Sequence, residues 1–164
     1  MKAAAVQGAF LLQQYERWFA DLEDQHRAQE PAPGAKTAGW LVGHLAVTGD
    51  FARKLCGLPP IAPKEWRPLF APGTVPSREP ASYPPMKALI DTCRAVYADL
   101  AANAPAASPE VLERPNPFEP ARAAFPTAGA FASYLLTGHL GYHLGQLSLW
   151  RAAAASSDSR LRPS

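Results

Sequence analysis

Histidine is the residue type whose spacing in this chain best suits metal chemistry. His139 and His143 are four residues apart, so on a helix their Cβ atoms lie about 5–6 Å apart and both rings can reach one ion. His44 shares a helical stripe with Trp40 and Val47 and therefore faces the core. If the two helices are adjacent, His44 completes a three-histidine site. The alternative is that His139 and His143 are core residues with separate hydrogen bonds.

Buried imidazoles also need partners, and the neighbouring residues suggest some. A ring without a partner would cost on the order of 1–3 kcal/mol, and one divalent ion would satisfy three neutral rings at once. Gln146 lies three residues after His143 on the same side of the helix, where it could orient a ligand or a bound water. Tyr142 could donate a proton near the cavity, or it could fill core or interface space.

Two familiar metal motifs are excluded. Residue 140 is leucine, so the histidine pair is not the His-Glu-x-x-His motif of zinc proteases, which needs that carboxylate as a base. No Glu-x-x-His lies on the stripes that carry the three histidines, which argues against a di-iron carboxylate site. Three histidine ligands would leave coordination positions for water or substrate, as a catalytic metal requires.

The elements that position these residues can be predicted from the prolines. Proline breaks helix interiors, and the 18 prolines leave four long proline-free windows, at residues 1–30, 34–58, 86–104 and 127–162. Each window has apolar residues with a helical period, and no sustained period of two indicates a sheet. We therefore predict four helices, with Thr37 and Thr127 as N-caps and Gly57 after the second helix. His26 is expected at the exposed end of the first helix.

Four amphipathic helices without other elements must bury their stripes against one another, which predicts an all-α four-helix bundle. The first connection is short, whereas the proline-rich connections 59–85 and 105–126 can cross the length of the bundle. We therefore expect up-down-down-up order, with the proline-rich loops covering one end or side of the bundle. Residues 1–151 are predicted to form one domain, and residues 152–164 a flexible C-terminal tail.

Composition narrows the function classes. The chain has 164 residues and a net charge of +2, with its basic residues scattered, so nucleic acid is not expected as a partner. No apolar run approaches the roughly 18 residues of a membrane helix, and the N-terminus lacks the apolar core of a signal peptide, so we expect a cytoplasmic protein. Cys56 and Cys93 are interpreted as small buried hydrophobes.

Two segments resemble a known family. Residues 40–46 (WLVGHLA) and 139–146 (HLGYHLGQ), followed by Arg151, closely resemble the DinB/YfiT-like superfamily of proposed metalloenzymes, and the resemblance spans about residues 5–151. It implies a four-helix bundle, a homodimer, and a divalent nickel or zinc ion held by His44, His139 and His143. Relatives include metal-dependent thiol transferases and the mycothiol-dependent maleylpyruvate isomerase.

Two functions remain open at this stage. The first is an enzyme in which the metal activates a low-molecular-weight thiol or water for attack on a small electrophilic substrate. Thiol transfer is favoured over hydrolysis because no carboxylate on the ligand stripes is an evident general base. The second is a non-catalytic, metal-binding dimeric helical module, although structural zinc sites usually have four protein ligands.

Overall fold

The computed structural model describes residues 1–155, except for the side chain of Tyr15. This part of the chain is helical and contains no strand; its one ladder contact is an isolated bridge between Pro115 and Thr127. The predicted all-α class is therefore confirmed. Most of the predicted tail, residues 156–164, lies outside the described residues.

Each proline-free window contains one long helical segment. The helices are α1 Lys2–Phe19, α2 Ala38–Leu55, α3 Arg67–Phe70, α4 Met86–Asn103, α5 Pro109–Leu112, α6 Ala128–Tyr134 and α7 Leu140–Ala154. A π-helical segment, Leu135–His139, joins α6 to α7 without a break. Helix α7 thus continues past residue 151, where the sequence predicted that the domain would end.

Hydrogen bonds confirm the two predicted N-caps. The Thr37 side chain accepts from the Trp40 amide at the start of α2, and the Thr127 side chain accepts from the Ala130 amide at the start of α6, 3.2 Å in each case. Gly57 follows α2 with a φ of 79°, which a glycine adopts without strain.

The end of the first helix differs from the prediction. Helix α1 stops at Phe19, and the chain turns back through a 3-10 turn, Asp24–His26. This turn carries His26 inward, where it is 2 % exposed, packs edge-on against Trp150 and accepts a hydrogen bond at Nδ1 from the Glu23 amide. The expectation that His26 is exposed is therefore wrong, because it assumed a helix that continued past Phe19.

The long helices bury their apolar faces against one another. Helix α1 contacts α4 and α7, whereas α2 contacts α4, α6 and α7. Fully buried leucines from three of these segments, Leu45, Leu89 and Leu147, lie in the shared core. Because α2 packs against α7, the two sequence segments that carry the histidines are neighbours.

The long connections pack on this core. Helix α3 contacts α2, and α5 contacts α6. From the connections, Phe70 is fully buried, while the partly buried Phe118 and Phe125 pack against the core. No helix in the described range is both long and apolar enough to traverse a lipid bilayer.

Both cysteines are free and buried, as predicted. Cys93 is completely inaccessible, and burial raises the pKa of the Cys56 thiol to about 11. Neither side chain therefore offers a reactive thiolate at neutral pH.

Candidate metal centre

The three predicted histidines meet at one point. His44 comes from the middle of α2, His139 is the last residue of the π-helical segment, and His143 lies one turn further on, in α7. Each offers a ring nitrogen, and the three nitrogens lie within 4.8 Å of one another. The Nε2 atoms of His44 and His139 are 3.3 Å apart. Spacings of this kind would let three rings share one ion.

Hydrogen bonds fix the tautomers of two rings. The Nδ1 atom of His44 lies 2.7 Å from the Phe70 carbonyl oxygen, which can only accept, so Nδ1 carries the hydrogen. The Nδ1 atom of His143 likewise donates to Gln146 Oε1 at 2.7 Å, while the Gln146 amide group donates to the Tyr142 hydroxyl. Both rings therefore present a bare Nε2 lone pair.

His139 is the least satisfied of the three rings. Its Nδ1 atom is buried without a hydrogen-bond partner, and its Nε2 atom faces the bare Nε2 of His44. A buried polar atom without a partner costs free energy, and either tautomer of a neutral His139 leaves its Nδ1 unpaired, as a hydrogen without an acceptor or as a lone pair without a donor. Neutral imidazole nitrogens are common ligands of divalent metal ions. The three histidines could therefore hold a divalent metal.

Burial keeps the rings unprotonated. It lowers the pKa of His44 to about 4, with further lowering from His143 and Lys36 that the Phe70 hydrogen bond opposes. Burial also lowers the pKa of His139 to about 3, aided by the other two rings, and it lowers the pKa of His143. At neutral pH the rings are thus uncharged, which is the form that binds metal.

Comparison with known families fits this geometry. The sequence model of the DinB superfamily matches residues 9–147 of the chain. The chain belongs to the DinB superfamily. The matched range includes His44, His139, His143 and Gln146. Comparisons with curated proteins and with solved structures gave no significant match. Family membership and the histidine cluster together indicate metal binding.

Aromatic side chains surround the histidines of this DinB protein. Trp40 stacks on His44 with ring centroids 4.5 Å apart, and the Lys36 ammonium lies 4.2 Å from the centre of the Trp40 ring. Trp40 also donates from its indole nitrogen to the Thr74 hydroxyl and is 4 % exposed. It therefore anchors α2 in the core and forms one wall of the cluster. Tyr142 packs edge-on against His143 but is 62 % exposed.

A cleft of about 940 Å³ opens beside the cluster. Its walls come from α2, from the connection around α3, and from residues 118–135. His44 and His139 line the cleft, whereas His143 lies outside its lining. A small molecule could therefore reach the histidines of the DinB protein from one side.

Sequence reasoning missed two features of the site. The first is Phe70, whose carbonyl orients His44 across 26 residues of sequence; no local pattern marks it. The second is the π-helical segment that ends at His139. Thr137, whose hydroxyl donates to the Ser133 carbonyl, and Gly138 are weak helix formers within that segment and are the signals that could have suggested it. Such segments are frequent at functional sites.

Proposed function

We propose that this DinB protein is a metal-dependent enzyme. His44, His139 and His143 hold a divalent ion, nickel or zinc, which activates a low-molecular-weight thiol or a water for attack on a small electrophilic substrate. The observation that carries the proposal is the convergence of three neutral histidines beside an open cleft. A divalent metal bound there would lower the pKa of a thiol or water that coordinates it.

The chain's own residues have defined roles in this proposal. Phe70 and Gln146 hold two of the rings by their Nδ1 hydrogens, which leaves the Nε2 lone pairs as the atoms that would bind an ion. Gln146 acts as a positioning residue, and Tyr142 supports it through a hydrogen bond. Trp40 covers one face of His44 and excludes water there.

Thiol transfer is supported more strongly than hydrolysis. Asp50 is the one carboxylate among the cleft-lining residues, and it already binds Arg53 and the Ile61 amide. No other lining carboxylate in the described part of the chain is available as a general base for water. A thiol needs no such base once its pKa is lowered.

We also propose an up-down-down-up bundle for the four long helical segments. Helix α2 packs on both α4 and α7, and α1 packs on the same two segments. Parallel neighbours such as α2 and α4 need a connection that runs the full helix length, about 27 Å for 18 residues. The connection through α3 is long enough to do so.

The test is metal content together with thiol conjugation. Chelator-stripped protein is titrated with Zn²⁺ or Ni²⁺, and each form is assayed for conjugation of a panel of thiols to an electrophile. We expect roughly one ion per chain and metal-dependent conjugation in the wild type. His143→Ala should lose both. His26→Gln, which removes the one histidine outside the cluster and retains an acceptor for the Glu23 amide, is the matched control.

Two results would contradict the proposal. Equal metal content in His143→Ala and in the control would show that the cluster is not the metal site. A wild type that binds the ion tightly but accelerates no conjugation or hydrolysis would instead support the non-catalytic helical module.

A further inference from the structure

The cleft beside the histidines has a basic wall. Lys54, Lys64 and Arg67 all line it, and none of them forms an ion pair with any carboxylate in the described range. The one lining carboxylate, Asp50, is occupied by Arg53 and the Ile61 amide. Three cations without an ion pair among the described residues therefore line one cavity, in a chain whose net charge is only +2.

Another part of the lining is aromatic. Phe118 stacks on Phe131 with ring centroids 5.6 Å apart, and Phe125 stacks on Tyr134 at 4.5 Å. Tyr134 in turn lies edge-on to His139, with centroids 5.9 Å apart. An apolar surface thus extends from the histidine cluster along the cleft. Aromatic walls of this kind bind apolar or aromatic ligand bodies through burial and ring contacts.

The cations are at defined positions relative to the histidines. Lys54 follows His44 by ten residues on α2, which separates their Cα atoms by about 15 Å along the helix axis. Arg67 begins α3 and lies one turn before Phe70, whose carbonyl holds the His44 ring. One ligand could therefore contact the aromatic wall, the histidines and a cation at the same time.

We infer that the cleft binds an elongated amphipathic anion. Its apolar or aromatic body lies on the Phe118, Phe125 and Tyr134 wall, and its carboxylate or phosphate group pairs with Lys54, Lys64 and Arg67. The reactive end lies at the histidines, with Lys54 about 15 Å from His44 along α2 and Arg67 closer, one turn before Phe70. This inference rests on the proposed function, because it assigns the class of substrate that the metal centre would use.

The charge pattern explains why an anion is selected. Like charges that line one cavity repel one another and attract counter-ions, and solvent screens this attraction because Lys54, Lys64 and Arg67 are all exposed. An anionic ligand would relieve this repulsion, whereas a neutral ligand of the same shape would leave it in place. The cations therefore discriminate by charge, and the aromatic wall discriminates by shape.

A matched pair of ligands tests the inference. Phenylhexanoate and phenylhexanol share an apolar body and differ in the anionic group. Their dissociation constants are measured by calorimetry on the full chain, with zinc loaded and with zinc removed by chelator. We expect the acid to bind about tenfold more tightly than the alcohol in both forms, because the anion pairs with the cations and not with the metal.

Charge variants test whether the preference for the acid comes from the basic residues of the cleft. The triple variant Lys54→Gln, Lys64→Gln, Arg67→Gln should lose most of the tenfold preference while binding the alcohol as the wild type does. The control is Lys2→Gln, Arg17→Gln, Lys87→Gln, which removes the same charge from exposed positions on α1 and α4 and should keep the preference. Zinc titration of both triple variants should match the wild type.

Three outcomes would overturn the inference. One is equal affinity for acid and alcohol. Another is a preference for the acid that disappears when zinc is removed, which would show that the carboxylate binds the ion and not the cations. The third is a control triple variant that loses the preference for the acid as fully as the cleft triple variant does. That result would show that the preference depends on the overall charge of the protein and not on the three cleft residues. In each case the zinc titration still reports separately whether the histidines bind metal, so this inference can fail while the proposed function stands.

Discussion

A metal-binding histidine depends on what its second nitrogen contacts. His44 and His143 each donate from Nδ1 to an oxygen, a backbone carbonyl in one case and the Gln146 side chain in the other. These bonds fix both the tautomer and the ring angle, and they make the ring a stronger ligand. His139 has no such partner at Nδ1, so its position depends on the helix backbone and on its neighbours.

Removal of the Gln146 acceptor should weaken metal binding. In Gln146→Leu, His143 Nδ1 loses its partner, and the zinc dissociation constant should rise about 10- to 100-fold, as measured by competition with a chromogenic chelator. Gln146→Glu retains an acceptor oxygen and should remain close to the wild type. An unchanged constant in Gln146→Leu would show that Gln146 does not position the ring.

The sequence reveals one of these partners and not the other. Gln146 is three residues from His143 on one helix, so the helical period alone places it beside the ring. Phe70 lies in a proline-rich connection, and its contribution is a backbone oxygen that every residue type possesses. Only the packing of α3 on α2 brings that oxygen to His44.

At the scale of elements, α3 positions the site although it has only four residues. Its fully buried Phe70 ring packs on α2 at Gly43, where an added Cβ would lie 2.5 Å from the ring. A side chain at residue 43 would push α3 away, and the carbonyl that holds His44 would move with it. Gly43 therefore links helix packing to the histidine cluster.

Gly43→Ala should damage both stability and metal binding. The added methyl group has no space beside the Phe70 ring, so we expect a destabilisation of about 1–3 kcal/mol and weaker zinc binding. Gly145→Ala adds the same group to α7 at an exposed position with nothing within 4 Å. That control should retain its metal affinity and should not lose stability, since alanine favours helix over glycine. Thermal unfolding and zinc titration measure both effects, and equal behaviour of the two variants would contradict this account.

The elements were predictable to different degrees. Proline positions located all four long helical segments, because proline is costly inside a helix and the apolar period confirmed each window. The early end of α1 was not predicted, since Leu22 continues the apolar stripe and nothing in the sequence breaks it. The π-helical segment was not predicted either, because an extra residue in one turn leaves the apolar spacing on each side of it helical.

At the scale of the whole molecule, α1 and α7 share an exposed apolar face. Val6 and Phe10 from α1 are 72 % and 59 % exposed, and Tyr142 and Leu149 from α7 are 62 % and 73 % exposed. Val6 and Phe10 also line a shallow groove with Gly138 and Gly141. Apolar faces of this kind often mark protein interfaces. We propose that this face joins two copies of the chain.

The double variant Phe10→Glu, Leu149→Glu should therefore be monomeric. In a two-fold interface each copy would bury these two carboxylates against the same α1/α7 face of its partner, which opposes association. Light scattering coupled to size exclusion should report twice the chain mass for the wild type and one chain mass for this variant. Val75→Glu changes an 85 % exposed residue in the connection and should stay dimeric. A wild type that is monomeric at micromolar concentration would refute the interface.

The inaccessible cysteines have a practical consequence for enzymology. Cys93 is sealed in the core, and Cys56 is protonated at any ordinary assay pH. A chromogenic disulfide reagent would therefore titrate only the sulfhydryl compound added to the cuvette, with no background from the folded protein.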